Sequence, residues 1–113
     1  MIFHIAQARD WTTAQTIGEY QAASLITEGF IHCSDPHQVL EVAHRLFCDR
    51  KDLVLLEIDP QRLDAEVRYE NCEGGEEQYP HVYGSIPLTA VTTVFPFQPN
   101  AEGKFTWSST SEN

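Results

Sequence analysis

Gly29-Phe30-Ile31-His32-Cys33-Ser34 places a histidine, a thiol and a hydroxyl at the end of a short apolar run suited to a buried strand. Ser34-Asp35-Pro36 then offers two cap-forming side chains and a proline fitted to a first helical turn. Val39, Leu40, Ala43, Leu46 and Phe47 recur at helical spacing, which predicts a helix over residues 36–47. A strand that hands over to a helix through residues able to do chemistry marks the expected site.

Working outward, residues 1–6 read as a first strand, and Leu53-Val54-Leu55-Leu56-Glu57-Ile58, closed by Asp59-Pro60, as a central one. Residues 66–70 are expected to pair beside that central strand. Residues 90–97 carry the β-branched and aromatic content of another strand, and 104–107 predict a short last one. Residues 11–25 are expected to hold one or two short helices, with Asp10 as N-cap and Gly18 as a weak point. The acidic, glycine-containing residues 71–78 read as an exposed loop. With few strand-helix-strand units, no G-x-G-x-x-G fingerprint and no Walker loop, this order predicts an α+β domain rather than a doubly wound sheet.

A chain of 113 residues with 42% hydrophobic content supports one core, so one domain is expected over residues 1–107, followed by a polar tail at 108–113. No run approaches the roughly 18 apolar residues of a membrane span, and polar Gln7, Arg9 and Asp10 follow the first strand at once; a soluble, cytoplasmic protein is expected. Cys33, Cys48 and Cys72 are odd in number and lack C-x-x-C spacing, which points to reduced thiols. Seventeen acidic against seven basic residues give a net charge of -10, which repels a phosphate backbone and argues against nucleic-acid binding. A small anionic ligand is still accommodated where Arg9, Arg45 or Arg68 makes a local positive pocket.

Two more histidines lie in strand-like surroundings, His4 in Ile2-Phe3-His4-Ile5 and His81 in Tyr79-Pro80-His81-Val82-Tyr83-Gly84. A period of two puts His4 opposite Phe3 and Ile5, His32 on the face of Phe30, and His81 on the face of Tyr83. The three imidazoles suit a shared cleft, a three-histidine site for zinc or iron, or separate hydrogen-bonded structural roles. The metal reading lacks a local ligand signature such as H-x-H or H-E-x-x-H. A Cys33 nucleophile activated by His32 or His81 is a further reading, but neighbours in a strand face opposite ways, and a small buried thiol is simpler. His37 and His44 fit the exposed side or edge of the predicted helix, and Trp11 and Tyr20 fit the core or a cleft wall.

Ile2-Phe3-His4-Ile5, Trp11, Tyr20, Ser24-Leu25, residues 28–34, Gln38-Val39, residues 53–60, Arg68-Tyr69-Glu70 and residues 80–84 together resemble, over nearly the whole chain, the bacterial family numbered 952 among the domains of unknown function. That family is similar to the ADP-ribosyltransferase superfamily, whose members bind nicotinamide adenine dinucleotide (NAD) in the cleft of a split β-sheet. The resemblance implies a split, mostly antiparallel sheet with flanking helices and NAD or a related nucleotide as substrate; no metal is expected, with the three-histidine metal enzyme kept as an alternative. It implies that His4 contacts a ribose, that His32 lies near the nicotinamide, and that Ser34 adds a hydroxyl. His81 falls where many transferases have a catalytic glutamate, with Tyr83 offering a ring and a phenol. Glu70 becomes the candidate for the missing carboxylate. His32, His81 and Glu70 are thus the candidate catalytic residues, and His4, Ser34, Tyr83 and Arg68 the candidate ligand contacts. The departure at His81 keeps a non-catalytic ligand-binding domain open beside an NAD-dependent transferase. A histidine-rich branch transfers RNA 2′-phosphates to NAD, a role to which this acidic chain is poorly suited.

Overall fold

The computed structural model describes residues 1–71 and 74–107. The chain runs β1 (Ile2–Gln7), α1 (Ala8–Ile17), β2 (Glu19–Tyr20), α2 (Ala23–Thr27) and β3 (Ile31–His32), then a 3₁₀ turn at Pro36–Gln38 leading into α3 (Val39–Leu46). It continues with β4 (Leu53–Ile58), β5 (Val67–Glu70), β6 (Tyr79–Val82), β7 (Ile86–Pro87) and β8 (Val91–Phe97). The architecture is α+β with antiparallel pairing throughout: a sheet ordered β1-β4-β8, a second ordered β3-β6-β5, and a β2-β7 pair. No helix among the described residues is long and apolar enough to cross a membrane.

The apolar character of β4, interrupted only at Glu57, is explained by its central position, with β1 on one edge and β8 on the other. Leu53 and Leu55 join Phe3, Ile5, Val39, Ala43 and Phe97 in one core layer. Leu56 and Ile58 join Ile2, Ala6, Ala14, Tyr20 and Ile31 in the other. At roughly 1.5–3 kcal/mol for each large side chain taken out of water, these two layers dominate the stability of the fold. Alternation along β1 puts His4 opposite Phe3 and Ile5, as its spacing predicts.

The two three-stranded sheets meet at a single bridge, where Phe3 N–H donates to the Ser34 carbonyl at 2.8 Å and Ser34 N–H to the Phe3 carbonyl at 2.7 Å. Directly after it, Asp35 and Gln38 form a capping box with Pro36 in the first turn, so the 3₁₀ turn that leads into α3 starts where the Ser34-Asp35-Pro36 signal puts a helix start. Gln38 is buried, and its amide donates to Glu77 at 2.6 Å and to the Gln78 carbonyl at 2.8 Å, tying the start of α3 to the approach to β6.

Several expectations are corrected. Helix α1 begins at Ala8 with Gln7 at its N-cap, so Asp10 is not the cap but sits in the first turn, where the helix dipole favours a carboxylate. Gly18 does more than weaken a helix: at φ 101° it forms the C-cap, its N–H bonded to the Ala14 carbonyl, and it releases the chain into β2. β5 pairs with β6 rather than beside β4, because both edges of β4 are taken. Residues 104–107 form no strand; Phe105 gives its backbone N–H to His44 Nε2 at 3.0 Å while its ring stacks on Phe97. Residues 36–38 are 3₁₀ rather than α-helix. The predicted tail at 108–113, and residues 72 and 73 of the predicted 71–78 loop, lie outside the described residues, while Gly74, Gly75, Glu76 and Glu77 of that loop are exposed.

Candidate functional site

His32 stands opposite His81 in the β3–β6 ladder, and the same parity puts Phe30, Ser34, Tyr79 and Tyr83 on one face. β5 extends that face with Arg68 opposite His81 and Glu70 opposite Tyr79. Diagonal neighbours on such a face are within reach of long side chains. Glu70 Oε1 accepts from His81 Nδ1–H at 2.8 Å and from the Tyr83 hydroxyl at 2.6 Å. These bonds, that from Tyr83 foremost, hold the Glu70 carboxyl below its ordinary range. Phe30 lies flat against His81 with ring centroids 4.2 Å apart, and His32 meets His81 edge-on at 5.1 Å.

With Nδ1 committed to Glu70, His81 has only Nε2 to offer. That atom makes no hydrogen bond within the described residues. Trp107 Nε1 is the one fully buried side-chain nitrogen or oxygen among them without a partner, so Nε2 of His81 is not fully buried, and His81 is on the cavity wall. By the same reasoning the hydroxyl of Ser34, another wall residue, is not fully buried.

His4 is held at both ring nitrogens, with Nδ1 2.6 Å from the His32 carbonyl oxygen and Nε2 2.8 Å from the Tyr20 hydroxyl. A carbonyl only accepts, so Nδ1 carries the proton. Burial lowers the His4 pKa to about 4, which keeps the ring neutral near pH 7 and its Nε2 bare. The Tyr20 hydroxyl therefore donates to Nε2, and burial, aided by the Asp10 charge, pushes its own ionisation upward.

The cavity measures about 300 Å³ and is lined from both sheets, from α3 and from the β2–α2 segment. Ile5, Val42, Leu46 and Phe47 give it an apolar flank, and His4, His32, Ser34 and His81 face it from the strands and their ends. Arg45 is on the wall with its guanidinium Nε 3.0 Å from Glu41. Asp10 is also on the wall and makes no hydrogen bond or ion pair with a described residue.

Of the residues selected from sequence, the fold brings His4, His32, Ser34 and His81 to one cavity. Glu70 and Tyr83 stand behind His81 rather than on the wall. Arg68 shares the sheet face of His81 but is not on the cavity wall; it pairs with Glu66 at 2.9 Å and sets its guanidinium 4.7 Å above the Tyr83 ring. The three imidazoles do not form a ligand set: both nitrogens of His4 are engaged, and His32 Nε2 is 3.0 Å from Glu28. No group of His, Cys, Asp or Glu among the described residues has metal-binding geometry. Cys33 is buried and its thiol is pushed upward by burial, which opposes a thiolate nucleophile. His37 is exposed beside Glu77. Sequence reasoning missed the partnership of Tyr20 with His4 and the place of Asp10 on the wall, since both depend on how α1 folds back over β1.

An α+β fold with a histidine-lined cavity between antiparallel sheets defines the class. The profile of the family described as "Protein of unknown function (DUF952)" matches residues 5–94, and the chain belongs to that family. It is similar to the crystal structure of protein CC0527 from Caulobacter crescentus, with 28% identity, coverage of 93% of this chain and 92% of that one, and a TM-score of 0.82. It is likewise similar to the solution NMR structure of CC0527, with 29% identity, coverage of 91% and 89%, and a TM-score of 0.79. A search of curated proteins gives no match.

Proposed function

We propose that the cavity binds NAD or a related nucleotide and that the protein performs ADP-ribosyl-type chemistry with His81 as its acid–base group. The observation that carries this reading is the relay from Glu70 to His81 on the cavity wall, in which Nδ1 is fixed by a carboxylate and Nε2 is not fully buried and bonds to no described residue. A cleft between two antiparallel sheets joined at one bridge is in keeping with the split sheet of ADP-ribosyltransferases. The cavity of about 300 Å³ suits a nucleoside-sized group rather than a whole dinucleotide, so the remainder of NAD would lie outside it.

Breaking the bond from ribose to nicotinamide develops positive charge on the ribose carbon and releases neutral nicotinamide with the bonding pair. His81 Nε2 takes the proton of the acceptor, a hydroxyl group or water, as the acceptor oxygen bonds to that carbon. Glu70 stabilises the imidazolium so formed and fixes the tautomer that leaves Nε2 basic. Ser34 and His32 contact the ligand from the same sheet face.

Binding without turnover is the second reading, favoured by the position of Glu70. Its Oε1 is shared by His81 and Tyr83, and the residue does not line the cavity, so it is not the carboxylate that transferases place beside the reacting carbon. Titration of the five histidine ring signals with NAD, followed by an assay for released nicotinamide, separates the readings. Release that disappears in His81→Ala supports the enzyme. Saturable shifts at His4, His32 and His81 without release select the binding domain, and no shift at millimolar NAD overturns both.

A further inference from the structure

The hydrogen-bond polarity of one cavity edge follows from a chain of atoms that each have a single role. The His32 carbonyl accepts, His4 Nδ1 therefore donates, and His4 Nε2 is left to accept from the Tyr20 hydroxyl. Having given its proton to His4, the Tyr20 oxygen has only lone pairs for anything in the cavity it lines. Asp10, on the same wall and close enough for its charge to act on Tyr20, is likewise an acceptor, with no partner among the described residues. Arg45, the arginine on the wall, pairs with Glu41.

We propose that Asp10 and Tyr20 form an acceptor edge that reads hydrogen-bond donors, and that the donors are hydroxyl groups of the ribose attached to nicotinamide. The choice of ribose rests on the nucleotide reading above; the polarity of the edge does not. A phosphate or carboxylate is excluded from this edge, because it would bring lone pairs against lone pairs and a second negative charge against Asp10. A vicinal diol fits, since each hydroxyl donates one proton to a carboxylate or phenol oxygen and can accept in turn from a group such as Ser34. Asp10 and Tyr20 are thereby assigned as specificity-determining residues.

The test has two parts. Long-range ¹⁵N–¹H NMR of the unliganded full-length protein reads the His4 tautomer. A protonated Nδ1 with bare Nε2 is expected, and a protonated Nε2 would overturn the proposal because Tyr20 would then have a proton to give. The second part compares the affinity of wild type, Tyr20→Phe and Asp10→Ala for NAD and for its analogues lacking the 2′- or 3′-hydroxyl on the nicotinamide ribose. At least one analogue is expected to bind wild type about tenfold more weakly than NAD, the effect of one hydrogen bond, and that gap should close in one of the two variants. Equal losses for NAD and both analogues in both variants overturn the acceptor edge while the nucleotide reading stands. Absence of NAD binding to wild type overturns the nucleotide reading and the ribose assignment together.

Discussion

His32 and His81 face each other across one strand pair with their rings 5.1 Å apart, yet their surroundings are opposite: the His81 side chain is 3% exposed and the His32 side chain 49%. One imidazole is built into the sheet face while its neighbour rests on it. Diethyl pyrocarbonate should therefore modify His32 well before His81, as peptide mapping would reveal. His32→Ala should change stability by no more than about 0.5 kcal/mol, whereas His81→Ala, which strips the Phe30 stack and leaves Glu70 with one partner fewer, should cost about 2 kcal/mol in urea unfolding.

The relay behind His81 can be cut without emptying the site. Glu70→Gln keeps a similar shape but removes the charge that stabilises an imidazolium, so any nicotinamide release should fall by about 10²-fold or more while NAD affinity changes little. Measured kcat and Kd distinguish this from a general loss of folding, which would lower both binding and turnover.

His4 makes stability depend on pH in a defined window. Its pKa is about 4 in the folded protein against 6.5 unfolded, so the unfolded chain binds more protons between those values. The stabilising contribution is complete above about pH 6.5, is lost as pH falls towards 4, and amounts to about 3 kcal/mol. Urea unfolding across that range should show the loss, and the His4 ring signal should not titrate above pH 5.

Two packing sites set the tolerance of the fold. A Cβ at Gly84 would lie 2.7 Å from the Cβ of Ala65, so Gly84→Ala should cost about 1–3 kcal/mol by overpacking. Leu55, fully buried in the central strand, should cost about 2–5 kcal/mol as Leu55→Ala. Both shifts are measurable as changes in the urea midpoint.

Cysteine chemistry offers an independent check on burial. Cys48 is exposed and should react with a thiol reagent in the native state, whereas Cys33 should stay protected until the protein unfolds. Rapid native-state labelling of Cys33 would contradict its place in the core.

Local sequence was enough to identify β1, β4, β8 and the turn that opens onto α3, because the apolar stretch Ile2 to Ala6, the closed run Leu53 to Ile58, the β-branched and aromatic residues of β8 and the Asp35-Pro36 cap are written in neighbouring residues. Pairing was harder to read. Nothing in residues 66–70 tells whether they dock beside β4 or β6; the choice is settled by β8, from a distant part of the chain, occupying the free edge of β4. The site followed the same division. Strand parity put His32 on the face of Phe30 and His81 on the face of Tyr83, but the pairing of those two strands, the use of Glu70 as a support for His81 and of Tyr20 as a partner for His4 depend on register between segments that sequence spacing does not encode.

The bridge between Phe3 and Ser34 gives the molecule a seam. Each three-stranded sheet is braced internally by its ladders, whereas among the described residues the backbone hydrogen bonds between the two sheets are those of this one residue pair. Beyond that pair the two sheets are held by side-chain packing, in which Ile2, Leu56 and Ile58 of one meet Ile31 and Val82 of the other. The His4 bond to the His32 carbonyl spans that seam, so the imidazole contributed by β1 is tied to the strand that sets His32 opposite His81.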